Sequence, residues 1–358
     1  MGATIAGYSL GLQPGELALL SGDVAALPLL REVYRAALSL GAQPYVRLLS
    51  PDFDELLLRE GSEAQLGYVS ELSTIEIERI RARLVVRASE NTVALSGIPP
   101  ERLAIRQRAN QPLFARLLER KATGELKTCI TQFPTNAAAQ DAGMSLGDYE
   151  DFVFRACFCD RDDPAAAWRE LAAGQQRHVE RLERVKQVRI EGPGTDLALS
   201  VTGRKWVNSD GRANFPSGEV FTGPVEDSAN GRISFDVPTT WQGRLVEGVS
   251  LEFAGGRVVK AGATRGEELL ARALDTDAGS RLLGEFAFGT NYGIDRPTRN
   301  ILFDEKIGGT IHLALGAGYP DTGSTNKSGI HWDMIKWMNA GRVVADGSVI
   351  YENGRFVA

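Results

Sequence analysis

Near residue 190 the apolar residues of this chain switch from one period to another, and that switch divides what the chain can fold into. Before it, short apolar runs alternate with helical patterns. ELALL (Glu16–Leu20) reads as a strand. The helical stretch that follows SGD carries Leu29, Leu30, Val33, Ala36, Ala37 and Leu40 on one face, with Gly41 at its C-cap. PYVRLL (Pro44–Leu49) is the next strand, so the unit is βαβ, with a right-handed crossover and a parallel pair. RLVVRA (Arg83–Ala88) and KTCITQF (Lys127–Phe133) add strands. Helical patterns dominate residues 141–188. Ser145 with Asp148 resembles a capping box, and Asp163-Pro164 starts a long helix predicted from Ala165 to about Val188. His178 lies in that helix amid Gln and Arg and is assigned no functional role.

After the switch the period is two. DLALSV (Asp196–Val201) alternates, EGVSLEFAGGRVVKA (Glu247–Ala261) is a hairpin turned by Gly255-Gly256, and the tail is a hairpin turned by Asn353-Gly354. At 358 residues the chain is too long for one typical core. The expectation is an α/β N-terminal domain with a parallel sheet over residues 1–188. A β-rich α+β C-terminal domain that carries a metal site follows over 189–358, with Gly192-Pro193-Gly194 as the joint.

A net charge of −6 and the absence of a dense Lys/Arg run argue against nucleic acid as a partner. Arg177–Arg189 is rich in base but interleaved with Glu, which is the pattern of a solvated helix face. Cys129, Cys157 and Cys159 are odd in number and lack redox or zinc spacing, so reduced and mostly buried thiols are expected. The opening residues lack the pattern of a signal peptide, and no apolar run approaches the ~20 residues of a membrane span. The expected location is therefore cytoplasmic. The loop after the first strand has neither GxGxxG nor GxxxxGK[ST] to cradle a phosphate.

Two of the three histidines fall in the second half. In TIHLALG (Thr310–Gly316), alternation puts His312, Ala314 and Gly316 on one face, and the small neighbours leave space over the imidazole. In SGIHWDMI, His331 and Asp333 share a face if the segment is extended, with Trp332 turned to the core. Glu219 and Glu285 each follow a glycine amid apolar residues, and Glu305 has a similar setting. A carboxylate buried there needs a positive partner. Imidazole with carboxylate suits zinc, cobalt, manganese or iron, and the surplus over one tetrahedral zinc suggests two metals sharing a carboxylate. The bland alternative is a satisfied core histidine and glutamates at surface turns, and spacing alone leaves both readings open.

Several segments taken together are similar to the metal-dependent aminopeptidases first characterised from thermophilic bacteria, often described as leucyl aminopeptidases. They are PTNAAAQDAGMSLGDYEDFVFRA, GRKWVNSDGRANFPSGEVFTGPVEDSANG, LGEFAFG, NILFDE, IHLALGAGYP and SGIHWDMI. The resemblance covers nearly the whole chain. It implies a dimetal site in the C-terminal domain, removal of N-terminal residues from peptides with a free N-terminus, and a homodimer. It places Glu219, Glu285, His312, His331 and Asp333 as metal ligands, with Glu285 as the bridge and Glu305 as a further candidate. Tyr319 falls on the family's tyrosine before proline and would donate to an oxyanion, and Glu219 or Glu305 would be the general base. The segment from Tyr319 to His331 looks shorter than in the family, which leaves the substrate preference open. Related chains include a ring-cleaving iron dioxygenase, so a one-iron site of His312, His331 and Asp333 is the alternative. A third reading is a non-catalytic binding protein on the same frame.

Overall fold

The computed structural model describes residues 1–357. The chain divides into two compact units, one of residues 1–165 with 211–215 and one of 166–210 with 216–358.

In the first unit, strands Gln43–Leu49, Leu17–Asp23, Ala82–Arg87 and Lys127–Gln132 lie side by side in that order, all parallel. The short strand Asn214–Phe215 adds in parallel beside Lys127–Gln132. The first strand runs on through SGD, which reads as a loop in the sequence. Ser21 donates its hydroxyl to Leu84 O at 2.7 Å, and Asp23 accepts from Ala88 N at 2.7 Å, so side chains hold the strand where its apolar run has stopped. Helix Leu27–Ser39 buries Leu29, Leu30, Val33 and Ala37, and Gly41 follows it at φ +76°. Leu40, predicted on the buried face, is exposed. Ser145 caps Leu146–Ala156 by accepting from Asp148 N at 3.1 Å, while its hydroxyl donates to the Asp148 carboxylate. Cys129 and Cys157 are buried, and Cys159 is half-buried.

The second unit is antiparallel. A sheet of eight strands begins with the hairpin Gln187–Gly192 and Thr195–Ser200. That hairpin corrects two expectations. The long helix is Pro164–Leu182 and stops six residues short of Val188, because residues 187–192 alternate and pair with strands on both sides. Pro193-Gly194, expected at a joint, closes the hairpin, with Gly194 at φ +65°. The turns at Gly255-Gly256 and Asn353-Gly354 form as predicted, all four residues having positive φ.

The other large sheet has the order His331–Trp337, Thr310–Gly316, Leu283–Gly289, Glu219–Thr222, Val207–Ser209. One face packs into the main core through Val220, Phe286, Phe288, Ile311, Leu313, Leu315, Trp332 and Met334. Burying side chains of this size stabilises by about 1.5–3 kcal/mol each, before the ordering entropy is subtracted. The other face is left for polar residues. No helix among the described residues is long and apolar enough to cross a membrane.

His178 stacks on Phe356 with ring centroids 3.8 Å apart. Burial, with Arg177 and Arg181 beside it, holds its pKa below the ordinary value. The stability this contact contributes is fully present above about pH 6.5 and is lost as pH falls through the folded pKa. Acidification from pH 7 to 5 should therefore lower the melting temperature more in the natural protein than in His178→Gln. Equal slopes in calorimetry would exclude the contribution.

Candidate metal centre

Strand alternation puts one set of side chains on the face of the five-stranded sheet opposite the main core, and register aligns them. Glu285 lies opposite Ala314, which lies opposite Asp333. His312 lies opposite Ala287, Gly316 opposite His331, and Glu219 opposite Gly289. Small residues thus separate the large ones, and the acidic and imidazole groups converge over them. Gly218 and Gly284 make this possible. Gly218, at φ +117°, brings the backbone before Glu219 against Asn291, where a Cβ would come within 2.6 Å of the Asn291 side chain. Gly284 sits at the bulge between Leu283 and Glu285, where a Cβ would meet Ala317 O at 2.3 Å. The bulge lets Leu283 face the core while Glu285 faces the site.

Glu219, Glu285, His312 and Asp333 are buried, and His331 is partly exposed. His312 Nε2 is 3.4 Å from Glu285 Oε1 and 3.6 Å from Glu219 Oε2. His331 Nε2 is 3.2 Å from Glu285 Oε2 and 3.5 Å from Asp333 Oδ1. His331 Nδ1 lies 2.7 Å from Ala317 O, which fixes its proton there and turns Nε2 to the carboxylates. Two ligand groups result: Glu219, Glu285 and His312, and Glu285, His331 and Asp333. Glu285 belongs to both, one oxygen facing each histidine.

The donor chemistry fits a cation. Buried Glu219 Oε2, both His312 nitrogens and Asp333 Oδ1 have no hydrogen-bond partner. Such atoms are costly to bury unless something positive meets them. Four carboxylates (Glu219, Glu285, Glu305 and Asp333) meet one lysine, Lys306. With neutral imidazoles the carboxylates outnumber the one ammonium, an excess of negative charge that a cation would offset. The proton affinities report the same imbalance. Burial alone would lower both histidines, yet the carboxylates push His312 up to about 9 and His331 up to about 12. Burial raises Glu219, against Lys306 and His312. Burial would raise Glu285 as well, but His312 and His331 hold it below its ordinary value. Against the same burial, His331 holds Asp333 down to about 2.

Glu305 belongs to neither group. It follows the short helix Ile301–Asp304, contacts Lys306 through Oε1, and is pushed up to about 8 by burial, which Lys306 opposes. Tyr319 packs its ring between Phe221, at 5.4 Å, and His331, at 5.0 Å. Tyr319 is 44% exposed as a residue, yet desolvation at its hydroxyl and the nearby carboxylates, Glu285 foremost, raise its phenol pKa, so it remains a donor. The segment beyond it is pinned where Glu226 accepts from Thr325 N at 2.7 Å and Asp277 accepts from Gly329 N at 2.6 Å.

Two residues here escape a reading of the sequence. Gln175, buried in helix Pro164–Leu182, donates to Glu219 O at 3.0 Å and accepts from Thr290, fixing the strand that carries Glu219. Lys306 is fully buried, with its ammonium 3.6 Å from Glu219 Oε1. Lys306 ends the charged run Asp304-Glu305-Lys306, which has the look of a surface turn, so neither it nor Gln175 carries a signal in the sequence.

The family described as thermophilic metalloprotease (M29) matches residues 2–356. Among curated relatives, "Aminopeptidase 2" of Geobacillus stearothermophilus is 30% identical over 343 residues, covering 86% of this chain and 80% of its own. "Aminopeptidase PepS" of Streptococcus thermophilus is 26% identical over 407 aligned positions, covering 97% and 95%. Among solved structures, "Wild-type AmpT from Thermus thermophilus" superposes with a TM-score of 0.89 at 26% identity, covering 100% of this chain and 98% of its own.

Proposed function

Because the chain belongs to the thermophilic metalloprotease (M29) family and is a metal-dependent aminopeptidase, we propose that Glu219, Glu285, His312, His331 and Asp333 hold two divalent cations that share Glu285. The observation that carries this reading is the division of Glu285, with Oε1 toward His312 and Oε2 toward His331. Mixed nitrogen and carboxylate donors favour zinc, cobalt or manganese. Bound there, such ions supply a polarised scissile carbonyl and a water acidic enough to attack near neutral pH.

The remaining work falls to side chains. Glu305, with a pKa near 8, takes the proton of the attacking water and returns it to the leaving amine. Tyr319 donates to the oxyanion of the tetrahedral intermediate. The substrate is a peptide with a free α-amine, held at the same centre so that only the first residue is released. The relatives are aminopeptidases, and none of them favours ring cleavage. The set His312, His331 and Asp333 that an iron dioxygenase would use is not one of the two ligand groups.

A homodimer in the cytoplasm completes this reading. Support for self-association is the run of exposed apolar residues in the first unit, among them Val46, Leu48, Phe53 and Leu72. Sedimentation equilibrium at micromolar protein should give twice the chain mass.

The test of the central claim is elemental analysis per chain, paired with release of leucine from its anilide. Exhaustive chelation should abolish release, and cobalt or zinc should restore it. Full activity in protein shown to hold no metal would refute the reading.

A further inference from the structure

Lys306 is out of place for a lysine. It is fully buried, on a turn whose backbone is fixed: its N–H donates to Phe303 O at 3.0 Å, and its carbonyl accepts from Asn291 N at 3.1 Å. An ammonium so placed is costly to desolvate unless carboxylates meet it. Two do. Glu305 Oε1 touches it, and Glu219 Oε1 lies 3.6 Å away. Glu219 is thereby divided. One oxygen faces the lysine, and the other, Oε2, has no partner and faces His312. The second ligand group has no lysine in contact: Glu285, His331 and Asp333 pair directly only with histidine, and Lys306 reaches Asp333 only at longer range.

We infer that Lys306 is a built-in competitor that occupies one oxygen of Glu219 and keeps an ion in the Glu219–Glu285–His312 group weakly held and exchangeable. The inference rests on the two-ion reading above. Coulomb's law gives its sign. A fixed positive charge a few ångströms from a cation site repels the cation, and it withdraws one carboxylate oxygen from it. Removing that charge frees Glu219 to ligate through both oxygens. The bound ion is then tighter and a poorer electrophile, because more of its charge is satisfied by ligands. Lys306 is therefore a positioning residue that acts on substrate through Glu219, and more strongly at that ion than at the other, which it reaches only through the longer-range field on Asp333.

The test is competition titration of metal-free, full-length protein with zinc against a chromophoric chelator, for the natural chain, Lys306→Met and Lys306→Arg. The natural chain should bind two ions with unequal affinity. Lys306→Met should tighten the weaker class by about tenfold or more and the stronger by clearly less, while kcat falls. Lys306→Arg should restore the natural order. Glu305→Gln gives the opposite sign: it leaves Lys306 to Glu219 alone and should weaken the same class, so the idea stays testable even if Lys306→Met does not fold. A weaker class that Lys306→Met loosens or leaves unmoved, or two classes that shift by the same factor, overturns the inference by itself. Fewer than two ions in the natural chain overturns the two-ion reading and this inference with it.

Discussion

Glu285→Gln should lose both cations and with them essentially all activity. The substitution keeps the shape of the side chain and removes the charge that both ligand groups share. A neutral amide also turns a donor toward one of the two histidines, so at most one group keeps an acceptor from this position. Loss of several kcal/mol of transition-state stabilisation corresponds to about three or more orders of magnitude in kcat/KM. Gly284 and the strand pairing on both sides of Glu285 are untouched, so the circular dichroism spectrum should match that of the metal-free natural chain. A Glu285→Gln protein that retains two ions and a tenth of the natural rate would show that this carboxylate is not the bridge.

Tyr319→Phe should separate chemistry from binding. The ring is held between Phe221 and His331, and phenylalanine preserves that packing. Only the hydroxyl is lost. If it donates to charge that develops in the transition state, kcat should fall by about 10²–10³ while KM and metal content stay unchanged. The cause would be the missing donor, since the raised phenol pKa keeps the natural tyrosine protonated throughout the working range. A fall of less than about threefold would assign Tyr319 to packing alone, because removal of a single transition-state donor costs far more.

Elements with a strict period are legible in the amino-acid sequence. Thr310–Gly316 and His331–Trp337 are strands of the predicted alternation, with His312 on the face of Ala314 and Gly316, and Trp332 turned to the core. Elements without a stripe are not legible. Helix Pro100–Ala122 buries only Leu117 and Arg120 and carries Pro112 inside, so no apolar face announces it. The end of helix Pro164–Leu182 is hidden for a related reason: the residues just after Leu182 are as polar as those before it. Only pairing with Thr195–Ser200 and Arg342–Ala345 turns residues 187–192 into a strand.

The sequence by itself determined which side chains can share a face, because the two-residue alternation of a strand is set by backbone sterics within a few residues. It also supplied the donors, the family resemblance and the glycines that let the backbone close up. The tertiary structure alone decided that Glu219, Glu285, His312, His331 and Asp333, drawn from four strands, meet in one place. Register between strands, the bulge at Gly284 and the buried ammonium of Lys306 depend on contacts between residues far apart in the chain, and no local period encodes them.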